Sequence, residues 1–151
     1  MNHENPQKSA DMSNTKVLGK KVPVNQPAER IFAAFSDLSN FTKNLPEEHR
    51  DKVRADANTL VVQAQGFELG IQVAERTPCS VVRFEPFGAQ TLFPFTIWIY
   101  IGEEGSGATM QIELHAELNM MMKMMLGAKL QEGIDKITDQ IAAGFNGQTV
   151  V

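Results

Sequence analysis

Residues 110–145 read MQIELHAELNMMMKMMLGAKLQEGIDKITDQIAAGF, and the hydrophobic period changes inside that stretch. Met110, Ile112, Leu114, Ala116 and Leu118 alternate with polar neighbours, which is the period of a strand with one wet face and one buried face. Asn119 then offers a capping side chain. From Met120 onward Leu126, Leu130, Ile134, Ile137 and Ile141 recur at helical spacing, and Asn146-Gly147 is a stop signal after Phe145. At about 1.5 Å per residue this helix is roughly 39 Å long, enough to cross a whole domain.

Working outward, the period of two extends back to about Lys52. It is carried by Val53, Ala55 and Ala57; by Leu60, Val62 and Ala64; and by Phe67, Leu69, Ile71 and Val73. Arg83 and Glu85 have the outward parity, which leaves Phe84 inward. Leu92 to Ile101 is apolar on both parities, with Phe93, Phe95 and Ile97 on one and Trp98 and Tyr100 on the other. Turn signals at Asn58, Gln65-Gly66, Thr77-Pro78-Cys79-Ser80, Phe87 to Gln90 and Gly102 to Gly107 are short, and short connections imply an antiparallel meander. Upstream, Lys16 to Val24 reads as a further strand. Asn25-Gln26-Pro27-Ala28-Glu29 reads as a helix start with Asn25 as the cap, followed by Ile31, Phe32 and Phe35. A second short helix carries Leu38, Phe41 and Leu45 and is closed by Pro46.

Val22-Pro23-Val24-Asn25-Gln26-Pro27-Ala28-Glu29-Arg30-Ile31-Phe32, followed by Phe35-Ser36-Asp37-Leu38, resembles the opening of the START-like (SRPBCC) superfamily. The resemblance covers about Lys16 to Gly147. It implies the α+β helix-grip fold: a curved seven-stranded antiparallel sheet, in the order β-α-α-β6-α, wrapped around the long C-terminal helix. It also implies an apolar cavity for a lipid, sterol, polyketide or other hydrophobic small molecule.

The inward parity is apolar throughout the strands, with Lys20 as the ionisable exception, where a long stem could carry the charge to water. Two readings stay open: these side chains fill a solid core, or they line a cavity. On the cavity reading the lining is Phe35 and Leu38 from the short helices and Phe67, Leu69, Ile71, Phe84, Phe93, Phe95, Ile97, Met110, Ile112 and Leu114 from the strands. Met121, Met125, Leu126, Leu130 and Ile134 complete it from the long helix. The methionines at 120, 121, 122, 124 and 125 either plug an irregular junction or form an adaptable wall or mouth. A thioether site for a soft metal lacks a nearby cysteine or a placed histidine.

Other chemistry is sparse. His3, His49 and His115 do not assemble a site; His49 is expected in a loop, and His115 shares the outer face with Glu113 and Glu117. Cys79 is the single cysteine among 151 residues, which excludes a disulfide framework and a cysteine-based zinc cluster. No nucleophile elbow or phosphate loop is present, so no catalytic residue, cofactor or metal is assigned. Fourteen Lys and Arg against 18 Asp and Glu give a net charge of −4, a poor footprint for nucleic acid. Residues 1–15 are polar and aperiodic and are read as a tail, and the single folded domain as 16–151. They contain no signal peptide, and no stretch is long enough to insert stably in a bilayer, so a cytoplasmic location is expected.

The expected function is binding or transport of a hydrophobic small molecule. One alternative is a polyketide cyclase-like enzyme, for which Tyr100, Arg83 and Glu85 are the nearest polar candidates. Another is an interaction module that uses Leu92, Trp98 and Tyr100 on the outer face, where a homodimer contact is also expected.

Overall fold

The computed structural model describes residues 12–43, 47–64, 67–88 and 93–147; of Met12, Ser13, Ala64 and Phe67 only the backbone is described. Eight strands form one antiparallel sheet: β1 (Met12–Leu18), β2 (Val22–Val24), β3 (Val53–Ala55), β4 (Thr59–Ala64), β5 (Phe67–Thr77), β6 (Val81–Pro86), β7 (Phe95–Glu104) and β8 (Gly107–Asn119). Their order is β1-β8-β7-β6-β5-β4-β3, and β2 also pairs with β8. The helices are α1 (Ala28–Ser36), two 3₁₀ segments (Leu38–Thr42 and Glu47–Lys52) and the terminal α2 (Met120–Phe145). This is the helix-grip arrangement that the sequence predicts.

The alternation fixes the faces. In the β7–β8 ladder Phe95 pairs with Ala116, Ile97 with Leu114, Ile99 with Ile112 and Ile101 with Met110, all on the face that the helices cover. Thr96, Trp98 and Tyr100 pair with His115, Glu113 and Gln111 on the opposite face. The Asn119 side chain accepts a hydrogen bond from the Met122 N–H at 2.8 Å, so α2 starts where its cap predicts.

The edge where α2 meets the sheet departs from expectation. The strand read as Lys16 to Val24 is two strands, and β1 starts at Met12, so residues 12–15 belong to the sheet rather than to the tail. Residues 1–11 lie outside the described residues. The break falls at Gly19, whose N–H still bonds to the Ile112 carbonyl at 2.8 Å. A Cβ there would lie 2.7 Å from Ile134 Cγ2 and 3.1 Å from the Ile112 oxygen, so only glycine lets α2 pass this close. Lys20 does not point inward: its Nζ sits on Asp139 at 2.8 Å, in solvent. The Leu18 carbonyl accepts from Gln131 Nε2 at 3.2 Å, a further tie between helix and edge.

At α1, Pro27 rather than Asn25 occupies the cap position, and no side chain caps the helix. The Asn25 N–H instead donates to Asn146 Oδ1 at 2.6 Å, and Gln26 Nε2 donates to the Phe145 carbonyl at 3.1 Å, joining the start of α1 to the end of α2. His49 lies in the second 3₁₀ segment, not in a loop. Leu45, Pro46, Gln65-Gly66 and Leu92 fall outside the described residues. On β5 a bulge between Val73 and Glu75 shifts the register and brings Arg76 opposite inward Val82. Its guanidinium donates to the Ser36 carbonyl at 2.7 Å and to Asn58 Oδ1 at 2.8 Å, satisfying the last turn of α1.

Candidate functional site

The inner face divides into two regions of unlike cover. Where α1 and the first 3₁₀ segment lie against the sheet, Ile31, Phe35, Leu38, Phe84, Ile99, Met110 and Ile112 are buried in one cluster. Phe35 there meets Phe41 and Phe145 with ring centroids 5.5 and 6.2 Å apart. Five of the predicted lining residues, Phe35, Leu38, Phe84, Met110 and Ile112, are therefore solid core, and Leu114 is buried in a second cluster with Val17, Ala116 and Leu118.

The other region is less covered. Ile71, Phe93, Phe95, Ile97, Leu126, Leu130 and Ile134 are half-buried, and Leu69 is exposed, although those on strands have the inward parity. The cause is the course of α2, which rests on β1, β2 and β8 and leaves the limb of β3 and β4 to the first 3₁₀ segment. Solvent thus reaches apolar side chains on the inner face between the N-terminal half of α2 and the sheet. Phe93 and Phe95 stand edge to face at 6.1 Å there. Among the described residues, the inward positions of β4, of β5 up to Val73 and of β7 up to Ile101 carry no ionisable side chain. This apolar cleft is the candidate site. Of Phe67 only the backbone is described, on β5.

Two expectations for α2 are corrected. Met121 and Met125 are exposed on the side of the helix away from the sheet and line nothing; only Met122 of the methionine run packs inward. Ile137 is likewise exposed, and Thr138 occupies the buried position instead, its hydroxyl donating to the Ile134 carbonyl at 2.7 Å. The helical spacing is right, but the buried stripe advances by fours along this stretch.

The outer face holds a polar cluster that sequence reasoning saw only in part. Glu113 is buried, accepts from His115 at 2.5 Å and lies 3.5 Å from Lys16 Nζ, with the Tyr100 hydroxyl also bonded to it. Burial pushes its carboxyl up, but the bonds from His115 and Tyr100 and the Lys16 charge outweigh burial and hold it below the ordinary carboxylate range. Burial and Glu113 together push the Tyr100 hydroxyl up. Trp98 lies against His115 with centroids 4.5 Å apart and ring planes tilted by 58°, and Arg83 next to it is held by Glu75 at 3.2 Å and Glu85 at 3.1 Å. Tyr100, Arg83 and Glu85, the polar candidates for a cyclase, are therefore on the far side of the sheet from the cleft. No group of three metal-ligating side chains occurs among the described residues.

A separate hollow of about 560 Å³ opens between α1 and the end of α2, lined by Gln26, Arg30, Ala33, Ala34, Asn40 and the residues 144–147. It shares no residue with the predicted lining. Sequence reasoning missed it because its walls are of mixed character and come from two distant segments.

No protein-family model matches the chain, and no curated protein does. Among solved structures, the chain is similar to the Mll3558 protein from Rhizobium loti at a TM-score of 0.69 and 14% identity, over 87% of this chain and 97% of that one. It is also similar to the Aha1 dimer from Colwellia psychrerythraea (TM-score 0.63, 10% identity, 87% and 96% covered). Norcoclaurine synthase from Thalictrum flavum follows, at a TM-score of 0.59 and 11% identity, over 90% and 92%. These likenesses show the fold, the helix-grip arrangement of a curved antiparallel sheet around a long C-terminal helix. No helix among the described residues is long and apolar enough to cross a membrane.

Proposed function

We propose that the protein binds and carries a hydrophobic small molecule in the cleft between α2 and the β5–β7 part of the sheet. One observation carries this reading: inward-facing Ile71, Phe93, Phe95, Ile97, Leu126 and Leu130 are left partly in solvent with no charged group among them. Covering such surface gains about 25 cal/mol per Å² of apolar area, so an apolar ligand that fills the cleft supplies what the fold lacks. Among the described residues no acid or base faces the cleft, which favours binding over catalysis, since proton transfer needs a titratable group within reach of the ligand.

The test is uptake of a fluorescent fatty acid by the wild type and by Leu130→Asp, with Phe95→Ser as a milder second variant. A buried charge in the cleft is expected to weaken uptake at least tenfold while circular dichroism stays native. Unchanged uptake by both folded variants would overturn the assignment.

A further inference from the structure

The first two turns of α2 present an apolar surface that the fold does not use. Met120, Met121, Met124 and Met125 are 71%, 69%, 81% and 64% exposed. At 100° per residue they span one face of the helix, opposite the side on which Met122 and Leu130 pack against the sheet. Lys123 and Lys129 lie about 60° and 40° beyond the two edges of that face, both exposed, and no acid occurs from Asn119 to Gln131. The chain as a whole carries −4, so this tip is a basic island on an acidic protein. The first acid, Glu132, comes seven residues after Met125, about 10 Å further along the axis.

The protein's own N-terminus does not suit this face. Met12 pairs with Asn119, and residues 1–11 lie outside the described residues. Their sequence, MNHENPQKSAD, has only Met1 and Ala10 as apolar side chains, too little to cover four methionines. A second copy is also a poor fit. An isologous contact would gather four like-charged lysines at one interface, with no acid between Asn119 and Gln131 to pair with them. A helical partner would need a groove, and this face is convex. A fluid anionic surface needs neither groove nor symmetry, because lipid closes around a convex apolar tip and its headgroups attract the flanking lysines.

We propose that the N-terminal end of α2 docks peripherally on anionic lipid bilayers, with the four methionines entering the headgroup boundary and Lys123 and Lys129 at the lipid phosphates. The proposal is independent of the cleft: none of these positions is inward-facing, so vesicle binding and fatty-acid uptake can fail separately.

The experiment is co-sedimentation of the full chain with vesicles of equal parts phosphatidylcholine and phosphatidylserine, and with phosphatidylcholine alone. The expected result is binding to the mixed vesicles and at least tenfold weaker partitioning to the neutral ones. Lys123→Gln and Lys129→Gln should each weaken partitioning about fivefold. Met121→Gln/Met124→Gln/Met125→Gln, which keeps helix propensity at exposed positions, should weaken it at least tenfold, whereas Ile137→Gln, exposed further along the same helix, should leave it unchanged. Equal binding to both vesicle types, no binding to either, or a triple variant that partitions like wild type would overturn the proposal. So would a lipid-free dimer, seen by sedimentation, that the triple variant abolishes, because the methionine face would then belong to a second copy.

Discussion

Ile97 and Ile99 point the same way from one strand, two residues apart, yet Ile99 is buried and Ile97 is half-buried. The same contrast separates Phe84 and Phe35, which are buried, from Phe93 and Phe95, which are half-buried. Composition does not distinguish the two regions; both are built of Phe, Ile, Leu and Met. The cover does. Over Ile99 and Phe84 lie α1 and the first 3₁₀ segment, held by Arg76 at one end and by Asn25 and Gln26 against the end of α2 at the other. Among the described residues, Ile97 and Phe95 share a cluster with α2 side chains, and α2 is drawn to the β1–β2 edge by Gly19, Gln131 and the Lys20–Asp139 pair. A helix fastened along one edge of a curved sheet leaves the other limb incompletely roofed.

The sharpest way to break this comparison is to truncate matched side chains on the two sides. Phe35→Ala should cost about 3–5 kcal/mol and Met110→Ala about 2–5, because rigid neighbours surround both and leave a cavity behind. Phe95→Ala and Leu130→Ala remove side chains already partly in water and should cost about half as much. Urea unfolding with a common slope measures all four. If Phe95→Ala were as costly as Phe35→Ala, the inner face would be one continuous core and the cleft would not exist.

A smaller effect is expected behind the boundary. Glu113 pairs with Trp98 on the outer face, directly between the Ile97–Leu114 and Ile99–Ile112 pairs of the inner one. Its carboxylate is held low by His115, Lys16 and Tyr100 against the cost of burial. A group whose folded pKa is depressed stabilises fully above the unfolded carboxylate range, and that contribution disappears as pH falls through the lower folded value. Glu113→Gln should therefore cost about 1–3 kcal/mol at neutral pH through weakened charge-assisted bonds. It should also lose stability less steeply than wild type on acidification. Equal acid limbs for the two proteins would show that the cluster does not fasten β1, β7 and β8 at this boundary.

These differences also show which parts of the molecule were legible in the sequence. Six strands and the extent of α2 follow from period and caps, because each strand buries one face and a slip of one residue would invert it. The start of β1 does not, since an edge strand that buries little beyond Val17 carries no alternation to read. The bulge that turns Arg76 inward leaves no trace in residue type. For the site, parity named the inward side chains but not their cover, so buried Phe84 and half-buried Phe95 looked alike. The methionines misled in a similar way: apolarity at 120–125 marked neither face of the helix, and the structure turns four of the five outward.

The smallest effect tests how α2 passes from one region to the other. From Leu130 through Ile134 to Thr138 its packed residues are spaced by four, which rotates the buried stripe about 40° for each step on a helix of 3.6 residues per turn, before Ile141, Ala142 and Phe145 close it. Ile137 would continue a stripe spaced by three, and it is 48% exposed, while Thr138 is fully buried beside Gly19. Ile137→Ser should therefore change stability by less than about 0.5 kcal/mol, the range of a surface substitution. Thr138→Ala removes a packed methyl and hydroxyl and should cost roughly 1 kcal/mol or more. The order is informative because hydrophobicity alone predicts its reverse. Should Ile137→Ser prove the costlier change, α2 would be rotated toward the spacing by three, Ile137 would replace Thr138 against the β1–β2 break, and the helix would roof the β5 limb more closely than the structure has it.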